Sequence, residues 1–104
     1  MDNMKKVNEF LNRTGYVVCQ IVSQSSAGSA VNVLAYDPMF KEMVAVGIRH
    51  PSPRCKAHKG PSLDSLEGLC NKLGWHGTIR SDTVVCYANG ELDHIVGIER
   101  RFMP

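Results

Sequence analysis

Apolar residues recur along this chain at two periods, and each period marks a kind of element. Near the start, Met4, Val7, Phe10 and Leu11 are spaced by three and four, which places them on one face of a helix. Lys5, Lys6, Glu9 and Asn12 lie elsewhere on its surface. Asp2 or Asn3 supplies the N-cap, the helix runs to Asn12 or Arg13, and Gly15 suits a left-handed stop. A second helical stripe, Leu63, Leu66, Leu69, Cys70 and Leu73, follows Ser62 as its cap. Asp64 and Glu67 lie in its early turns, where the helix dipole favours negative charge. Gly74 is the expected C′ residue, with Trp75 folding back on Cys70. Gly68 falls inside this helix, where glycine costs about 1 kcal/mol relative to alanine. Close packing against a sheet is its expected reason.

Between the helices the period shortens to two. Residues 16–23 and 31–36 are rich in β-branched side chains and read as strands. Residues 42–49 set Val44, Val46 and Ile48 on one face of a third, and Asp37-Pro38 signals the turn before it. These three strands predict an antiparallel meander, with 23–29 (SQSSAGS) as a loop between the first two. After the second helix, 75–80 reads as a short strand. Residues 83–88 and 91–98 flank Asn89-Gly90, which predicts a hairpin with a two-residue type I′ turn. That register sets Ala88 opposite Glu91 and Val85 opposite His94, and it turns Val85, Tyr87, Leu92, Val96 and Ile98 toward the core. Val84, Cys86, Asp93 and Ile95 take the other face.

The order helix, three strands, helix, three strands predicts one α+β domain over residues 1–104, with a mainly antiparallel sheet and both helices on one face. Such a sheet leaves a second face partly bare. With Val17, Cys19, Ile21, Val31 and Val33 inward, Tyr16, Val18, Val22, Leu34 and Tyr36 form an apolar surface for a protein partner or a second copy.

The chain of 104 residues is 43% apolar and 21% charged, an ordinary balance for a globular domain. No apolar run approaches the roughly 20 residues that cross a bilayer. The start, MDNMKKVNEF, has no hydrophobic signal region. A cytoplasmic protein without membrane contact is therefore expected. The formal charge of +2 is too small to indicate a nucleic-acid binder by itself. Its distribution changes the picture. Residues 49–60 hold Arg49, Arg54, Lys56 and Lys59 with His50 and His58, and no carboxylate. Pro51, Pro53 and Pro61 make residues 50–61 a loop rather than a central strand. It leads into the N-terminus of the second helix, where free N–H groups favour anions. Arg49, Arg54, Lys56, His58, Lys59, Gly60 and Ser62 are therefore a candidate site for an anionic ligand: a nucleotide, phosphate or nucleic acid. Arg100 and Arg101 are further cations that could join it. The glycine and Lys-Ser/Thr pattern of a P-loop is missing.

Other chemistry is thinner. His50, Cys55 and His58 have the spacing H-x4-C-x2-H but no evident fourth ligand, so no metal is expected. Cys19, Cys70 and Cys86 sit among apolar residues and read as core thiols. Cys55 and His58 share one proline-rich loop, a poor scaffold for a nucleophile and base. Asp93 and His94 are adjacent in a strand and so point to opposite faces; His94 reads as a satisfied core or edge histidine. The element order over residues 3–74 is loosely similar to that of double-stranded RNA-binding domains. Those carry a lysine cluster where this chain has Ser62-Leu63-Asp64-Ser65, and no family is assigned. The sequence thus points to a non-catalytic interaction or oligomeric accessory module without a cofactor, with anion binding by the basic loop as the alternative.

Overall fold

Six strands and two helices are built from residues 3–24, 30–51 and 60–104, the parts of the chain that this computed structural model describes. Helix α1 is Asn3–Arg13, and the chain leaves it through Gly15 at φ 96°. Strands β1 (Val17–Ile21), β2 (Val33–Asp37) and β3 (Glu42–Arg49) follow as the expected meander. Helix α2 is Leu63–Leu73. Ser62 caps it by accepting from the Ser65 N–H, and Gly74 stops it at φ 72°. The Trp75 N–H returns to Cys70 O at 3.0 Å, closing the expected Schellman turn. Strands β4 (Gly77–Cys86), β5 (Leu92–Ile95) and β6 (Arg100–Met103) complete the sheet. Of the two cap candidates, Asp2 lies outside the described residues and Asn3 is the first residue of the helix; residues 25–29 of the 23–29 loop also lie outside them. Among the described residues, no helix is long and apolar enough to cross a membrane.

The fold is α+β, but its sheet is mixed. The strands run β1-β2-β3-β4-β5, and β6 pairs with β4. The pairing of β3 with β4 is parallel, Met43 beside Ile79 through Arg49 beside Val85. A parallel neighbour needs a long crossover, and the segment carrying α2 supplies it. The two strands expected at 75–80 and 83–88 are one, β4. Its first half pairs with β6 and its second half with β5, both antiparallel. The chain steps from β5 to β6 at Gly97, where a Cβ would sit 1.9 Å from the Ser81 carbonyl oxygen.

The helices lie on opposite faces, not on one. Val7 and Leu11 of α1 pack with Val33, Ala35, Val44, Val46, Ile48, Val84 and Cys86. Leu66 and Cys70 of α2 pack with Leu34, Met43, Ala45, Ile79 and Met103. Neighbouring residues of one strand point to opposite sides of a sheet, so these clusters occupy its two faces. The bare apolar face expected from the sequence is therefore covered. Leu34 is fully buried, and Val22 and Tyr36 pack against the α2 cluster. Tyr16 and Val18 join the α1 cluster, while Val17, Cys19 and Ile21, expected inward, are exposed on the edge strand. Cys19 is thus not a core thiol, whereas Cys70 and Cys86 are.

The β4–β5 hairpin is slipped by one residue from the expected register. Val84 pairs with His94 and Val85 with Asp93. Asn89 does not take the positive φ that a type I′ turn demands; Gly90 alone does, at 89°. The Gly90 N–H bonds Tyr87 O at 3.0 Å and the Tyr87 N–H bonds Glu91 O at 2.9 Å, giving a three-residue connection with a glycine bulge. A one-residue slip exchanges the faces. Val84, Cys86 and His94 therefore face α1, while Val85 is buried on the other side.

Candidate functional site

Among the described residues, the most concentrated chemistry lies under one end of α1. Arg80 and Asp82 alternate on β4 and face the same side as Val84. Asp37 ends β2 and Glu42 begins β3, and the meander sets these two side by side. The Arg80 side chain is fully buried, and its five N–H groups all have acceptors. Nε meets Asp82 Oδ1 at 2.9 Å, and Nη1 meets Asp37 Oδ2 at 3.0 Å and Glu42 Oε1 at 2.8 Å. Nη2 meets Asp82 Oδ2 at 3.1 Å and also the Tyr16 hydroxyl. Tyr16 in turn donates to Asp82 Oδ2 at 2.8 Å. His94 Nε2 lies 2.9 Å from the same oxygen, and the Gly97 N–H donates to Oδ1 at 3.0 Å. Arg100 closes the far side on Glu42 Oε2 at 3.1 Å. Phe10 and Tyr16 each stand edge-on to the His94 ring, at 5.8 and 5.4 Å between centroids.

Burial pushes the Asp82 carboxyl up, but hydrogen bonds from His94, Arg80 and the Gly97 N–H outweigh it and hold it at about 2. Asp82 is therefore ionised, and His94 must offer a hydrogen on Nε2. Tyr16 is held protonated, first by its burial and then by Asp82. A group that is this fully paired is poorly placed to exchange protons with a substrate.

Above the cluster opens a hollow of about 450 Å³. Asp37, Tyr16, Arg80 and His94 reach its floor, and Met39, Phe40 and Val96 form its margin. Met39 is 83% exposed and Phe40 61%, an unusual state for two large apolar residues in succession. They stand on the β2–β3 turn, which Lys41 closes at φ 57°.

Of the residues assigned to anion binding from sequence, Arg49, Gly60 and Ser62 are among the described ones, and these three are not gathered into one site. Arg49 turns inward: Nη1 meets Asn32 Oδ1 at 3.2 Å and Ile48 O at 3.0 Å, and Nη2 meets Ala30 O at 3.2 Å. Gly60 approaches β4 closely, where a Cβ would lie 3.0 Å from Thr83 Oγ1. Ser62 is occupied as the α2 cap. Arg54, Lys56, His58 and Lys59 lie outside the described residues, as does Cys55; His50 is exposed. A larger hollow, about 600 Å³, does lie at the α2 N-terminus. Its cation Arg101 is spent on Asp64 at 2.6 Å and Glu67 at 2.7 Å, and Glu99 also lines it. That balance disfavours an anion among the described groups. Arg100, the other cation of the tail, belongs to the buried cluster. Among the described residues, no group of three histidine, cysteine or acidic side chains is disposed to hold a metal.

Sequence reasoning missed the Arg80 cluster because its members are 43 and 38 residues apart on the chain. One signal was there: Arg80 and Asp82 at alternate positions entering an apolar strand, a pattern that buries charge unless partners arrive from elsewhere. No protein-family model, curated protein or solved structure matches this chain.

Proposed function

We propose that this chain is a non-catalytic interaction module that binds a protein partner through the apolar margin around the β2–β3 turn and the β5–β6 connection. The observation that carries this reading is a contrast. The polar side chains of the central cluster satisfy one another, whereas Met39 and Phe40 are 83% and 61% exposed and border one hollow with Val96. Exposed apolar groups that share a hollow mark contact surfaces more often than single scattered ones do. Anion binding through residues 49–60 is the competing proposal, and salt separates the two: phosphate binding weakens steeply with salt and apolar association does not.

The test is affinity capture from an extract of the source cells at low and high salt. The baits are the wild-type chain, a Met39→Ser/Phe40→Ser variant and a Val96→Ser variant. The expected result is a discrete, stoichiometric partner that survives high salt and is lost with at least one variant of unchanged melting temperature. A thermal-shift series with nucleotides, phosphate and short nucleic acids runs beside it. A ligand bound at 100 times its Kd stabilises by about 2.7 kcal/mol. A rise of that size that disappears with salt, without any salt-resistant partner, would overturn the interaction reading in favour of the basic loop.

A further inference from the structure

The Asn89-Gly90 turn holds chemistry independent of the apolar hollow. An asparagine side chain can lose its amide by reacting with the main-chain nitrogen of the next residue, and a side chain on that residue obstructs the approach. Asn89 is the asparagine of this chain that precedes glycine; the others precede Met4, Glu9, Arg13, Val33 and Lys72. Asn89 and Gly90 are both exposed. Asn89 Oδ1 accepts from the Glu91 N–H at 3.0 Å, which folds the side chain along the main chain past the Gly90 nitrogen. The same N–H points at the oxygen on which negative charge would develop, in the manner of an oxyanion hole. Lys6 stands beside the turn from α1: a Cβ on Gly90 would lie 3.1 Å from its Nζ. An ammonium there favours departure of the Gly90 amide proton and the negative charge that follows.

We propose that Asn89 is a self-modifying site, promoted by Lys6, whose product loosens β5. The Gly90 nitrogen gives its proton to water and attacks Asn89 Cγ. A bond forms between them, the Cγ–Nδ2 bond breaks, and Nδ2 leaves as ammonia with a proton returned by water. Water then opens the five-membered imide at either carbonyl. One opening leaves aspartate. The other leaves isoaspartate, in which the main chain runs through Cβ and Cγ and is one atom longer. The bond from the Gly90 N–H to Tyr87 O, 3.0 Å, must open for the first step. Both residues are exposed, so water takes its place. That bond and the one from the Tyr87 N–H to Glu91 O, 2.9 Å, close the turn, and a longer main chain between them does not fit both. Strand β5 follows directly and carries His94 to Asp82.

The experiment incubates the folded full chain at neutral pH for several weeks and follows it by peptide mass mapping, with isoaspartate labelled by its carboxyl methyltransferase. Asn89 loses its amide at least about tenfold faster than any other asparagine, a barrier lower by about 1.4 kcal/mol. Lys6→Gln slows that loss several-fold at an unchanged melting temperature, and Lys6→Arg, which keeps the charge, restores it. The isoaspartate fraction exchanges its amide hydrogens along β5 faster than fresh protein does. Asn89→Asp gains the charge without the longer main chain and keeps the exchange of the wild type. An Asn89 that stays intact in the folded chain while it converts in urea overturns the proposal, because the fold then protects the turn. Equal rates in the wild type, Lys6→Gln and Lys6→Arg overturn it too, as does unchanged exchange along β5 after conversion.

Discussion

Gly68 lies in the middle of α2 with nothing within 4 Å of where its Cβ would be. Close packing against the sheet therefore does not explain it, and alanine fits the site at an ordinary helical conformation. Gly68→Ala should stabilise the domain by about 0.5–1 kcal/mol, seen as a rise in the denaturation midpoint. Arg80 is the opposite case. Removing it takes the shared guanidinium from three buried carboxylates, and breaking a buried pair costs about 3–5 kcal/mol. Arg80→Met should lower the melting temperature by more than about 10 °C for a domain of this size. Asp82 adds a dependence on pH. Its carboxyl is held at about 2 against an ordinary 3.8, so the folded state binds its proton later than the unfolded one. The stability this gives is fully present above about pH 4 and is lost as the pH falls through about 2. Urea unfolding followed between pH 5 and 2 should show that decline, and the slope should flatten in Asp82→Asn if that variant remains folded.

At the scale of elements, the helices and the meander were legible because each carries its own punctuation. The stripe of Met4, Val7 and Leu11, the Ser62 cap and the Gly74 stop all act within a few residues of where they are written. What was not legible depended on distant partners or on one torsion. Asn89-Gly90 supports either a two-residue or a three-residue connection, and the choice turns on the φ of Asn89, which local residue types leave open. The parallel pairing of β3 with β4 is set by a crossover, part of which lies outside the described residues. The candidate site fared worse for the same reason: its floor is assembled from β2, β3, β4 and β5, whereas the basic loop was conspicuous because its charges are neighbours in sequence. The step from β5 to β6 gives a further test of the topology. Gly97 lies so near the Ser81 carbonyl that any side chain must push the strands apart. Gly97→Ala should cost about 1–3 kcal/mol, the range for forcing atoms into filled space. It should also speed amide hydrogen exchange along β6 before it does so along β2.

For the whole molecule, the seam between β3 and β4 joins the part of the chain before the basic loop to the part after it. Each helix packs across that seam. The cluster under α1 includes Val84 and Cys86 from the second part, and the cluster under α2 includes Leu34, Met43 and Ala45 from the first. Arg80 likewise reaches over it to Asp37 and Glu42. Neither part can bury its own core, yet each offers the other a helix, a strand edge and a share of the charge. Two separate polypeptides, residues 1–51 and 60–104, should therefore be unstructured alone and fold on mixing, with circular dichroism that rises with the product of their concentrations. In that sense each half is the other's ligand, and mass action would replace the loop as the tether.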